Sequence, residues 1–189
     1  MNKELFTTRQ IEAAVKSYLC TLEKAKKSND SQTVEDMNNR LSYLTKLKDV
    51  TIDYSRLTIT NSHGDYYTSQ IICQGNQLVT IDWTDASRLP ACWEVIMSFA
   101  YADPNSKSGK IDAEGLKRYV NHYQQFFKLN AYDLSIMPYL YFFQLAVSNF
   151  YEPYEDLPEE YLDIARLTTR QLSWLNEHVD ELAVQLLQK

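Results

Sequence analysis

Glycine is scarce here. The 189 residues contain four, and Gly64, Gly75, Gly109 and Gly115 form no cluster. Neither GxGxxG nor GxxxxGK followed by Ser or Thr occurs, so no glycine-rich loop can cradle phosphates. The three cysteines, Cys20, Cys73 and Cys92, are odd in number and lack metal-ligand spacing. They are expected to be buried free thiols in a reducing cytoplasm, not a disulfide framework. Of three histidines, His122 and His178 fall on amphipathic helical patterns without partners at ligand spacing, and are expected to be structural or exposed. No apolar run approaches about eighteen residues, so nothing is expected to span a membrane. The opening MNKELFTTRQ lacks the apolar stretch of a signal peptide, so a cytoplasmic location is expected. Basic residues are also outnumbered, 19 against 25 acidic, giving a net charge of −6. That balance argues against a nucleic-acid partner, which calls for a basic face.

What is present is a core. Hydrophobic residues make up 44% of the chain and aromatics 13%, enough for one packed domain that buries roughly 70% of its unfolded surface. Residues 4–28 read as a helix with Ile11, Ala14, Val15, Tyr18, Leu19 and Leu22 in its stripe, which Phe6 extends. Lys16, in the triplet Ala14-Val15-Lys16, reads as a solvated helix residue. A second helix spans 33–48 after a cap at Asp30 or Ser31. Residues 51–60 read as a β-rich approach. Beyond Pro90, helices are expected at 91–101, at 112–127 with Leu116, Tyr119, Val120, Tyr123, Phe126 and Phe127 as its stripe, at 131–150 (apolar almost all round, with Pro138 in its first turns or kinking it) and at 161–187. The fold class is mainly α with a small β-hairpin (α+β). The single domain, 1–189, divides into a helical pair (1–50), a site region (51–94) and a helical subdomain (95–189).

The site region is the most informative stretch. Residues 69–74 and 77–83 carry apolar β-type cores around Gly75-Asn76, a hairpin signal. A hairpin brings Asp65, before its first strand, towards Asp82, at the close of its second. Two converging carboxylates suit a divalent cation that takes its other ligands from water and phosphate.

His63-Gly64-Asp65, then Gln70 five positions after the aspartate, then Ile81-Asp82-Trp83 resemble the catalytic-loop and metal-loop motifs of the aminoglycoside phosphotransferase and choline kinase-like family, which has a protein-kinase-like fold. The resemblance covers residues 61–94, with Pro90 and Trp93-Glu94 extending it. One position departs: Gln70 stands where the family has asparagine. The layout is similar to that family's helical C-terminal lobe alone, without its β-rich N-terminal lobe.

The resemblance implies an ATP-dependent transferase, a small-molecule kinase, with ATP and Mg2+ as cofactors and a small-molecule hydroxyl compound as acceptor. It implies Asp65 as the catalytic carboxylate, with His63 orienting the loop, and Asp82 and Gln70 as metal ligands. The cofactor-binding residues of the absent lobe have no counterpart. Tyr66 and Tyr67 either face substrate or pack, and Asp85 is read as a solvated loop carboxylate. Glu152, Glu155, Asp156, Glu159 and Glu160 either attract a cationic substrate or form an exposed connector. A lobe without its partner is expected to self-associate through the face left open. The alternative is a non-catalytic kinase-like lobe that binds a ligand or a protein; a helical interaction domain with chance motifs is the third reading.

Overall fold

Thr7 and Gln10 form a capping box at the start of helix α1 (Thr8–Ser28), each side chain accepting from the other's backbone amide. The computed structural model describes residues 7–148 and 152–188. The expected helix start at Glu4, the Phe6 extension, Phe150 and Tyr151 therefore lie outside the described residues. α1 ends at Asn29 in the left-handed region, φ 62°. Asp30 then caps α2 (Ser31–Leu47) by accepting from the Thr33 amide. With so short a connection the two helices fold back on one another. Ile11, Ala14, Tyr18 and Leu22 are buried as their spacing predicts, and Lys16 is exposed. Leu19 is a correction: it lies on the outer flank of the stripe and is 47% exposed.

α5 (Ala131–Ala146) is the central helix, packed against α6 (Glu159–Leu187), α3 (Ala91–Ala102) and α2. Its all-round apolar surface predicts that position. Pro138 lies inside α5, buried, not in its first turn. It therefore removes the donor that would meet the Leu134 carbonyl. α4 (Ala113–Tyr123), capped by Asp112, stops short of the expected Phe127. Phe126 consequently leaves the stripe and is 81% exposed. Among the described residues, one connected core joins all six helices.

A polar network crosses that core where α2 meets α6 and the segment before it. Arg40 is 1% exposed, donating to the Tyr18 hydroxyl at 3.2 Å and lying over its ring. The Asp36 carboxylate accepts from the Tyr154 and Thr169 hydroxyls. Burial, and then the Asp36 carboxylate, push the Tyr154 hydroxyl up to about 12. Burial and Asp180 push Tyr139 up to about 12 as well. In the unfolded chain both ionise near pH 10. The stability these groups supply is therefore complete below pH 10 and is lost as pH rises towards 12, where the unfolded state releases protons that the folded state keeps. Urea midpoints are expected to fall steeply between pH 10 and 12. The double variant Tyr139→Phe, Tyr154→Phe is expected to show a shallower decline; an equal slope would dismiss these two hydroxyls as the cause.

The β structure is corrected in two respects. Residues 51–60 are not a strand: Tyr54–Arg56 is a 3-10 turn, and strand β1 begins only at Ile59. There is also a second small sheet that the sequence did not announce. β1 (Ile59–Ser62) pairs antiparallel with β4 (Ser87–Pro90), Ser62 opposite Ser87, while β2 (Ile71–Gln74) pairs with β3 (Gln77–Thr80) as the expected hairpin. Residues 63–86 thus form one excursion, closed at its base by β1–β4 and carrying the hairpin at its tip. The expected apolar cores of the hairpin face solvent: Ile72 is 49% exposed, Leu78 73% and Val79 45%. Among the described residues, no helix is long and apolar enough to cross a membrane. Of the cysteines only Cys92 is buried, and burial pushes its thiol up; Cys20 and Cys73 are exposed, contrary to expectation.

Candidate functional site

The base of the excursion is fixed from the core. Asp133, fully buried at the start of α5, accepts from the Thr58 amide at 2.9 Å, the Thr58 hydroxyl at 2.5 Å and the Asn130 amide at 2.9 Å. The Thr58 carbonyl accepts from the Ala91 amide at 2.9 Å, where α3 begins. One carboxylate therefore ties the entry of β1 to α5, and β1 delivers His63.

The His63-Gly64-Asp65 loop and the Ile81-Asp82-Trp83 loop lie against each other. His63 is buried, and its Nε2 donates to the Ile81 carbonyl at 2.8 Å. A carbonyl only accepts, so Nε2 carries the proton and Nδ1 is left to take the Asp65 amide at 3.4 Å. Both ring nitrogens are thereby used within the loops. The Trp83 ring packs on His63, centroids 4.8 Å apart, and Tyr66 meets it edge-on at 5.8 Å. The Ile81 amide donates to the Gln70 carbonyl at 3.0 Å. Gly64 has φ +89°, and a Cβ there would fall 2.4 Å from the Asp85 carbonyl oxygen. Only glycine permits that approach. The Gly64 amide donates to Glu94 Oε1 at 2.6 Å, locking the loop to α3.

Gln70 is buried, and its Nε2 lies 3.4 Å from Asp65 Oδ2. Among the described residues, Asp65 Oδ1 and Gln70 Oε1 have no hydrogen-bond partner. Asp82 is exposed, with a left-handed backbone at φ 56°, a region that aspartate tolerates better than most residues. Its Oδ1 accepts from the Thr84 hydroxyl at 2.6 Å. Asp85 is exposed, and its role here is the backbone carbonyl against Gly64. Among the described residues no three His, Cys, Asp or Glu side chains group as a cation site. Of the two expected metal ligands, Asp82 is exposed on its loop and Gln70 is buried beside Asp65.

Asp65 and Tyr67 line a cleft of about 820 Å³ between α1, α3, α5 and α6, in the size range of small-molecule sites. Tyr67 packs on Tyr101, which also lines the cleft, ring centroids 5.8 Å apart. Burial, then the Asp65 carboxylate and Tyr67, hold the Tyr101 hydroxyl above its ordinary pKa. The cleft is assembled by helices distant in sequence, and periodicity alone did not find it. The acidic residues Glu152, Glu155, Asp156, Glu159 and Glu160 do not line it; all are exposed, and Glu152 pairs with Lys24 at 2.5 Å. His122 is exposed, and His178 stacks on Trp174.

Comparison with known protein families, with curated protein sequences and with solved structures returns no match to this chain.

Proposed function

We propose that this chain is the catalytic lobe of an ATP-dependent phosphotransferase, a small-molecule kinase that transfers the γ-phosphate to an acceptor hydroxyl. One observation carries the reading: the two motif loops are bonded to each other through His63 and Ile81, and Asp65 beside them opens onto a cleft of acceptor size. Asp65 Oδ1, without a competing partner, accepts or orients the proton of the acceptor hydroxyl. His63 is a positioning residue, since both its nitrogens are spent holding the loops. Asp82 and Gln70 would hold magnesium, the carboxylate giving charge and the amide a neutral oxygen. When bound, the ion supplies neutralisation of the phosphate oxygens, the main demand of this chemistry. With no glycine-rich loop in the sequence, turnover calls for a β-rich nucleotide-covering lobe in addition. Self-association of this chain is expected through the exposed hairpin side chains Ile72, Leu78 and Val79.

A second reading, a non-catalytic lobe that binds a ligand or a protein, is favoured by Gln70. Its longer side chain engages Asp65 where the family has asparagine. Titration calorimetry of the chain with ATP, with and without magnesium, separates the two. The expected result is magnesium-dependent binding that weakens at least tenfold in Asp82→Asn. Asp82→Gly is expected to lose that binding while staying within about 1 kcal/mol of the parent in stability, because glycine accepts the left-handed backbone at little cost. Absence of magnesium-dependent binding, or binding indifferent to Asp82, would overturn the phosphotransferase reading.

A further inference from the structure

The cleft beside Asp65 is nearly devoid of charge. Among its described lining residues Asp65 is the only acid, and Lys107, exposed at the edge, the only base. Several polar groups along the wall are already committed. The Gln171 amide bonds to Tyr141 and to the Ser106 carbonyl, and the Thr168 hydroxyl donates to the Ile164 carbonyl. What remains for a ligand is neutral. The Gln144 side chain makes no hydrogen bond to another described residue. Tyr67 and Tyr101, packed on each other, line the cleft together with the Asp65 carboxylate. Leu145, Ile164 and Leu167 supply an apolar wall.

Resting on the phosphotransferase reading, we infer that the acceptor is an electrically neutral hydroxyl compound with a ring or other apolar portion. Its ring lies against Tyr67 and Tyr101, and one hydroxyl reaches Asp65. A polycationic sugar would have to strip several ammonium groups of water against a single carboxylate, and burying unpaired charge is costly. A phosphorylated sugar would bring a second anion beside Asp65, with only Lys107 at the edge to oppose it. Neutral hydroxyls meet neither obstacle, and ring stacking rewards a flat apolar partner.

Ligand-observed NMR on the full chain without nucleotide tests this with three probes: phenyl β-glucoside, the polycation kanamycin and the anion glucose 6-phosphate. Phenyl β-glucoside is expected to bind at least tenfold more tightly than either charged probe. Tyr101→Ala, at a position 46% exposed, is expected to weaken it by roughly threefold to tenfold. Ala13→Trp, which fills the cleft from an exposed position on α1, is expected to abolish it. Equal or tighter binding of a charged probe overturns the inference, as does glucoside binding that is absent or untouched by both substitutions. The two proposals fail separately. Magnesium-dependent ATP binding without glucoside binding overturns the acceptor class alone. Glucoside binding that Ala13→Trp abolishes, without magnesium-dependent ATP binding, overturns transfer and leaves the ligand class standing.

Discussion

Gly64→Ala is expected to cost about 2–5 kcal/mol of folding stability, the sum of a backbone and a packing penalty. The φ of +89° is the first cause, since a β-carbon in that region costs roughly 1–2 kcal/mol. The second is collision: the new methyl would lie 2.4 Å from the Asp85 carbonyl oxygen and 2.9 Å from its carbon. Both are backbone atoms of the opposing loop, so no side-chain rotation relieves the overlap. Gly75 provides the control. It also has positive φ, +59°, but a Cβ there meets nothing within 4 Å. Gly75→Ala should therefore show only the backbone part, roughly 1 kcal/mol. Urea unfolding of the two variants measures the difference. If Gly64→Ala is no worse than Gly75→Ala, the two motif loops do not meet as described. Because Gly64 also donates to Glu94, the alanine variant is further expected to lose the register of Asp65 relative to the Ile81 loop.

Asp133→Ala should be comparably damaging, at about 3–5 kcal/mol. The carboxylate is fully buried and satisfies two donors of Thr58 and the amide of Asn130. Removing it leaves these donors unpaired around a cavity, and an unpaired buried polar group costs about 1–3 kcal/mol each when water cannot enter. Asp133→Asn keeps one acceptor oxygen but turns an NH2 towards donors, so an intermediate loss is expected. Hydrogen exchange reports where the damage falls: the Thr58 and Ala91 amides should lose protection first, since both belong to the junction that delivers β1. A loss below about 1 kcal/mol in Asp133→Ala, or unchanged protection at Thr58, would show that α5 does not anchor the site. Asp133 lies far from the motif in sequence and touches neither the loops nor the cleft. Its effect on the site is purely one of position.

Much of this was legible in the sequence, for reasons that are local. The helices follow from apolar residues recurring at three- and four-residue steps, and their starts from side chains that cap within three positions, as with Asp30 and Asp112. The β2–β3 hairpin follows from Gly75-Asn76, because a turn of that kind is determined by the residues that form it. The identities at His63, Gly64, Asp65, Gln70, Asp82 and Glu94 marked the candidate site. Errors arose where a side chain's surroundings come from elsewhere in the chain. The hairpin's apolar residues and Phe126 read as core, yet nothing in the described fold covers them. Asp36 and Arg40, one turn apart on α2, are buried only because Tyr154 and α6 close over them. β4 was missed because four residues ending in proline form a strand only when β1 lies alongside.

The sequence by itself thus determined the helices, the tight turn and the chemistry available at the motif, since each depends on neighbours within a few positions. Tertiary structure decided the rest. It joined the two loops through His63 and Ile81, hung them from Asp133, and brought α1, α3, α5 and α6 around a nearly uncharged cleft at Asp65. Those relations link residues far apart in the chain, and only packing a shared core brings such residues together.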